Sequence, residues 1–156
     1  MIRIVFICTG NVCRSPMAQY FAQKIANKSK DPNKYYIESA GISAYDGEKA
    51  TETAKIAMQK YDIDLSPHKS TNVANSGIME ADYIIVMTKI HKQALIQMFP
   101  ELKDKIYTLL DIAYNDDSYT DIADPWGYDI DVYDYIATQI CSATEAFMEK
   151  LEVENE

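Results

Sequence analysis

Two periods of apolar residues alternate along the chain. Short runs rich in β-branched residues give way to longer stretches in which apolar side chains recur every three or four positions. Ile2, Ile4, Val5, Phe6 and Ile7 predict a buried strand over 2–7. Met17, Phe21 and Ile25 then share one face of a predicted helix over 15–28. Tyr35–Ser39 reads as a second strand. A helix follows over 48–60 with Ala50, Ala54, Ala57 and Met58 as its stripe, then a short helix within 71–80. The near-continuous apolar run Asp82–Met87 has the look of a central parallel strand. A helix over 89–98, stopped near Pro100, leads to a fourth strand over Lys105–Leu110. The last helix, 129–151, buries Val132, Ile136, Ile140, Ala143 and Phe147.

Repeated β-α order implies a parallel sheet covered on both faces. The expected fold is therefore α/β, a single-domain three-layer α/β/α arrangement with a central four-stranded parallel sheet. Such sheets bind ligands beyond the carboxyl ends of their strands. The chain of 156 residues, 47% hydrophobic, is large enough for one core. Residues 1–152 are assigned to that domain, and 153–156 are expected to fray.

Composition narrows the partners. The net charge of −9 is uneven: residues 1–60 carry nine Lys/Arg against five Asp/Glu, residues 61–156 six against nineteen. Nucleic acid is excluded as a partner for so acidic a chain. No run approaches the length of a membrane span, and the N-terminus lacks the pattern of a signal peptide, so a cytoplasmic protein with no membrane contact is expected. Cys8, Cys13 and Cys141 do not form a secreted disulfide framework.

The chemistry concentrates in Cys8-Thr9-Gly10-Asn11-Val12-Cys13-Arg14-Ser15-Pro16, between the first strand and the first helix. Loop amides and a helix N-terminus point partial positive charge at one spot, which suits phosphate. Cys8 lies at its floor, where aligned amides and Arg14 would hold it as a thiolate. The planar fork of Arg14 suits two non-bridging phosphate oxygens. Ser15 is a candidate helix cap and a donor to the thiolate, and Pro16 fits the first turn. Asn11 tolerates the left-handed backbone region, and Gly10 allows close approach. The phosphate-binding residues are thus Thr9, Gly10, Asn11, Val12, Cys13 and Arg14. A Walker-type loop is excluded, since no Gly-Lys-Ser/Thr follows Gly10.

Cys8 through Pro16, continued by Met17-Ala18, resembles the signature of the low-molecular-weight protein tyrosine phosphatases, and the chain length fits that family. The resemblance implies a flavodoxin-like topology and a phosphocysteine mechanism without cofactor or metal. No Cys/His cluster here has ligand spacing for a metal. It also implies that Ser39, in Ser39-Ala40-Gly41, helps shape the loop, and that His68 supports Asn11. It favours Cys13 as a partner trapping oxidised Cys8 in a disulfide. Cys141 is read as core and His91, in a polar helix, as surface.

A leaving oxygen needs a proton donor from elsewhere in the chain. The stretch 111–134, read as a long loop, holds eight aspartates and no Lys or Arg, with Tyr114, Tyr119, Trp126, Tyr128 and Tyr133 interleaved. Asp124, in Asp124-Pro125-Trp126-Gly127, is the chosen general acid, with Asp121 its nearest competitor. Proline stiffens the backbone after it, and the family places its acid in an Asp-Pro-aromatic motif. Val12 and Trp126 are read as walls of the substrate pocket. The chain differs from many members in having one aromatic where they carry two tyrosines.

The expected partners are phosphorylated proteins, with inorganic phosphate or a similar oxyanion in the loop, and the protein is expected to be a monomer or weakly self-associating. Phosphotyrosine is the favoured substrate. The alternative is phosphoarginine, because Lys49-Ala50-Thr51, Met87-Thr88, His91-Lys92-Gln93 and the single aromatic also resemble the bacterial protein arginine phosphatases. Members of that branch carry threonine where Val12 stands. Thioredoxin-coupled arsenate reductases share the loop but have two further cysteines where this chain has Ile84-Ile85-Val86-Met87-Thr88. Phosphocysteine carrier domains need no general acid, and a phosphopeptide-binding module would need an unreactive Cys8.

Overall fold

The central strand of the computed structural model, which describes residues 1–116, 118 and 121–155, is β1 (Ile2–Cys8). β2 (Tyr35–Gly41) lies on one side of it, β3 (Tyr83–Val86) on the other, and β4 (Ile106–Thr108) lies beyond β3. All three pairings are parallel, and Cys8 is in register with Gly41. The four-stranded order β2-β1-β3-β4 makes the fold α/β and flavodoxin-like. Chain connections leave β1 toward β2 and then return across it to β3. The carboxyl end of β1 is therefore the switch point where a crevice opens.

Alternation along β1 sorts the two faces of the sheet. Ile4, Phe6 and Cys8 enter the core beneath α1 (Arg14–Asn27), α2 (Glu52–Met58), α4 (Leu109–Tyr114) and α5 (Ile130–Glu154). Val5 and Ile7 face the other way, among Val73, Ile78, Leu102 and Leu95 of α3 (Lys89–Met98). On α1 the buried line is Met17, Ala18, Ala22 and Ala26, with Phe21 and Ile25 half-buried at its border. The small residues let α1 and α5 approach closely. α5 buries Ile136, Ile140, Ala143 and Phe147 as expected, adds Tyr133, and leaves Val132 half-buried.

Several elements are shorter or differently placed than their periodicity predicts. The helix expected over 48–60 begins only after Thr51, whose hydroxyl accepts from Ala54 N–H. Residues before it are drawn toward the neighbouring segment, with Ser70 N–H donating to Glu48 O at 2.7 Å. The short helix within 71–80 is instead two three-residue 3-10 turns, Val73–Asn75 and Ile78–Glu80. The fourth strand stops at Thr108, because the Thr108 hydroxyl accepts from Asp111 N–H and caps α4. That helix occupies the start of the stretch read as one long loop. It ends at Asn115, which takes a left-handed conformation with φ of 54°. Asp117 and Tyr119 of the acidic stretch, like Glu156, lie outside the described residues. α5 is helical through Glu154, so the first two residues of the tail expected to fray continue the helix. Among the described residues no helix is long and apolar enough to cross a membrane.

Candidate active site

Four carbonyls at the end of β1 and in the loop after it are engaged by the surrounding protein. Cys8 O accepts from Ile42 N–H at 3.0 Å, Thr9 O from Ser43 N–H at 2.9 Å, and Val12 O from Thr51 N–H at 2.9 Å. Asn11 O meets His68 Nε2 at 2.7 Å. In a trans peptide the carbonyl and the next amide point in opposite directions, and no peptide bond among the described residues is cis. The outward carbonyls of Thr9, Asn11 and Val12 therefore turn the amides of Gly10, Val12 and Cys13 toward the inside of the loop. Asn11 N–H already donates to Cys8 Sγ, at 3.3 Å. A concave row of donors surrounds the sulfur.

Asn11 holds this curvature. Its φ of 58° lies in the left-handed region, and its side chain is fully buried. Thr71 N–H, a donor without ambiguity, gives its bond to Asn11 Oδ1 at 2.9 Å. The amide nitrogen must then be the end that donates to Ser15 Oγ at 2.8 Å and to Ser39 Oγ at 2.9 Å. Both hydroxyls accept from Asn11, so their own protons point onward. Ser39 donates to Gln19 Oε1 at 2.5 Å, and Ser15 Oγ lies 2.9 Å from Cys8 Sγ as its donor. One buried amide thus aims a hydroxyl proton at the Cys8 sulfur.

Ser15 is not the helix cap expected of it. α1 begins at Arg14, its N-cap is Cys13, and no side chain among the described residues caps it. The hydroxyl serves the sulfur instead, and no described side chain caps the first-turn amides. Pro16 occupies that first turn, where its missing N–H costs nothing.

Arg14 is 3% exposed and joins the loop to the acidic segment. Nη1 donates to Ile122 O at 2.8 Å, and Nη2 lies 3.6 Å from Asp124 Oδ2. Nε is buried with no partner among the described residues. A buried charged donor left open is costly, and an anion in the loop would satisfy it.

The segment carrying Asp124 is docked rather than loose. Ile122 is fully buried, and its N–H donates to Met87 O, just after β3, at 2.8 Å. Asp121 Oδ1 accepts from Lys89 N–H at the start of α3, at 2.8 Å. That bond turns Asp121 to the rim and makes it a support for the segment. Asp124 Oδ1 accepts from Trp126 N–H at 3.0 Å and lies 3.9 Å from the Cys13 sulfur. Oδ2 is the oxygen left toward Arg14. Half of the Asp124 side chain is exposed, and Trp126 stands open at the mouth. Val12 is half-buried at the edge of the core.

Buried neighbours stay uncharged. Burial, then the nearby Cys8 and Asp124, push the Cys13 thiol up to about 12. Burial also lowers His68, although the Asn11 carbonyl partly opposes it.

His91 is not the surface residue its polar helix suggests. It is buried, its Nε2 lies 2.8 Å from Thr9 Oγ1, and burial followed by the charge of Arg14 lowers it to about 4. Ile122 and Gln19 were not singled out in the sequence either. The apolar pair Ile122-Ala123 inside an aspartate run was the available signal for the first, and nothing in the helix pattern marked the second.

Residues 3–156 match the model of the family described as low molecular weight phosphotyrosine protein phosphatase. A protein-arginine-phosphatase of Geobacillus stearothermophilus is 36% identical over 152 residues, spanning 97% of each chain. The low molecular weight protein-tyrosine-phosphatase Ptp of Acinetobacter johnsonii is 37% identical over 106 residues, 68% of this chain and 70% of that one. Among solved structures, a YwlE arginine phosphatase variant with serine for cysteine and a phosphorylated active-site serine superposes with a TM-score of 0.87. It shares 31% identity and covers 96% of this chain and 95% of its own.

Proposed function

The chain belongs to the low molecular weight phosphotyrosine protein phosphatase family, and on that footing we propose that it hydrolyses protein phosphotyrosine through a phosphocysteine formed on Cys8. The observation that carries the reading is the ring of inward amides around the Cys8 sulfur, closed by an Arg14 Nε that has no partner among the described residues. A tetrahedral oxyanion in contact with the sulfur is the ligand such a ring fits.

The reaction has two displacements. The Cys8 thiolate attacks phosphorus while the bond to the tyrosine oxygen breaks, and Asp124 gives that oxygen its proton. Asp124 Oδ1 is held by Trp126 N–H, so Oδ2 is the oxygen that carries the proton. The resulting carboxylate then takes a proton from water, whose oxygen attacks phosphorus. The S–P bond breaks, and phosphate leaves with the thiolate restored. Arg14 and the loop amides hold the equatorial oxygens throughout, and that charge compensation supplies most of the rate.

Val12 supports phosphotyrosine, because its aliphatic side chain offers an aromatic ring contact and offers a guanidinium no acceptor. Trp126 can supply the opposite wall. Phosphoarginine is favoured by a different observation: the Asp121 and Asp124 carboxylates both stand at the mouth, where a guanidinium would meet them. The Geobacillus relative carries that activity in its name. Cys13 is read as the resolving group: a sulfenic acid on Cys8 condenses with its thiol to a disulfide and water. The protein works in the cytoplasm, as a monomer or in weak self-association, on phosphorylated proteins.

Steady-state hydrolysis of matched phosphotyrosine and phosphoarginine peptides, metal-free and under reductant, tests the reading, with Cys8→Ser as control. Higher kcat/KM on phosphotyrosine, and a shift toward phosphoarginine in Val12→Thr, support it. Preference of the unaltered protein for phosphoarginine replaces it with the second reading. Turnover surviving Cys8→Ser overturns both.

A further inference from the structure

The side-chain alternation of β1 carries into the loop: Cys8 faces α1 and α5, and Thr9 turns to the side of Val5 and Ile7, where α3 packs. The start of α3 is fixed by Thr88, whose hydroxyl accepts from His91 N–H at 3.1 Å. His91, the third residue of that helix, brings Nε2 to 2.8 Å from Thr9 Oγ1. The ring is buried, and Thr9 is exposed at the mouth one residue after the nucleophile.

The direction of this bond follows from the groups around it. The ring is neutral, so one nitrogen carries a proton and the other is bare. Nδ1 is buried with no partner among the described residues. A buried N–H without an acceptor is the rarer and costlier orphan, so the bare nitrogen is Nδ1 and the proton sits on Nε2. His91 then donates to Thr9 Oγ1. The threonine's own proton is then not used by the ring.

We propose that His91 is a positioning residue whose Nε2–H bond makes the Thr9 hydroxyl a donor to the phosphoryl group held over Cys8. The proposal rests on the phosphatase reading of this loop and adds a side-chain donor to its row of amides. Because the donor is set by an uncharged ring, the loop gains a hydrogen bond to phosphate without a second buried cation beside Arg14.

The test compares the unaltered protein with Thr9→Val, His91→Phe, the double variant and His91→Gln. Readouts are the inhibition constant of inorganic phosphate and the kcat and KM on a phosphotyrosine peptide. Gln suits the rescue because its amide nitrogen reaches the place of Nε2 and carries a proton. Thr9→Val and His91→Phe are each expected to weaken phosphate roughly tenfold, the size of one hydrogen bond to a charged group. The double variant should be no worse than either, and His91→Gln should recover most of the loss. An unchanged phosphate constant in Thr9→Val, or losses that simply multiply, overturns the proposal while the phosphatase reading stands. Thr9 is exposed, so its variant carries the test even where His91→Phe does not fold. An unaltered protein that leaves phosphopeptides intact overturns the phosphatase reading and this proposal with it.

Discussion

Arg14 donates through Nη1 to the backbone carbonyl of Ile122 at 2.8 Å, so the proposed phosphate clamp also props the segment that carries Asp124. Ile122 is fully buried and tied to the end of β3 through Met87 O. The clamp, the central sheet and Asp124 thus form one mechanical unit.

Arg14→Lys separates charge from geometry. Lysine keeps the positive charge but loses the planar fork, and with it the bond to Ile122 O. The expected outcome is a fall in kcat/KM of at least ~100-fold, the scale of losing one preorganised donor to the developing charge. Phosphate affinity should weaken as well, measured as an inhibition constant. A variant within a few-fold of the unaltered protein would show that charge alone is what the loop needs from this position.

Asp124→Asn should bite selectively. A general acid matters most for a leaving group that departs poorly as an anion. Loss of kcat/KM is expected at about 100- to 10,000-fold on a phosphotyrosine peptide and far less on p-nitrophenyl phosphate, whose leaving group needs little help. An equal loss on both substrates would move the role to simple positioning and make Asp121 the next residue to replace.

The strand, loop and first helix were legible in the sequence because there the chain's local rules agree. A β-branched run ends at the nucleophile, Gly and Asn supply the turn, and Pro16 falls in the helix's first turn. What was not legible depends on contacts between distant segments. His91 sits in a helix of polar character, and only the side-chain parity of β1 brings Thr9 within reach of it. Ser15 has the type of a cap, but the Asn11 amide claims its oxygen and sends its proton to sulfur. α4 was hidden because six residues are too few to show a period, although Thr108 and Asp111 carried its start signal.

Gly41 tests how rigid the loop must be. A Cβ at this position would come within 2.6 Å of Thr9 O and 2.9 Å of Asn11 N. Both contacts are backbone, so the loop itself would have to move. Gly41→Ala is expected to cost about 1–3 kcal/mol of stability, as overpacked sites do. The loss of kcat/KM should be larger in proportion, toward ~100-fold, because a small displacement of the reacting groups is expensive. Urea unfolding and steady-state kinetics on one preparation measure the two. A stability loss with untouched turnover would mean the loop relaxes without moving its donors.

Two buried histidines make stability depend on pH above the range where carboxylates matter. Burial lowers His68, and burial with the nearby Arg14 charge lowers His91 to about 4, against an ordinary value of 6.5. Unfolded chains take up these protons as pH falls through 6.5, whereas the folded protein refuses them until lower pH. Their contribution is therefore fully present above 6.5 and is lost progressively on acidification, down to about 4 for His91. The slope should reach at most about 1.4 kcal/mol per pH unit for each histidine. Asp64, Asp116 and Glu152 are held below the usual carboxylate range by their hydrogen bonds and act in the same direction, but only at lower pH. Urea unfolding between pH 7.5 and 5 isolates the histidines, and His91→Gln should flatten the curve by removing one of the two protons. A slope unchanged by that substitution would mean that His91 takes up its proton at its ordinary value in the folded protein, so that the ring would not stay neutral through this range.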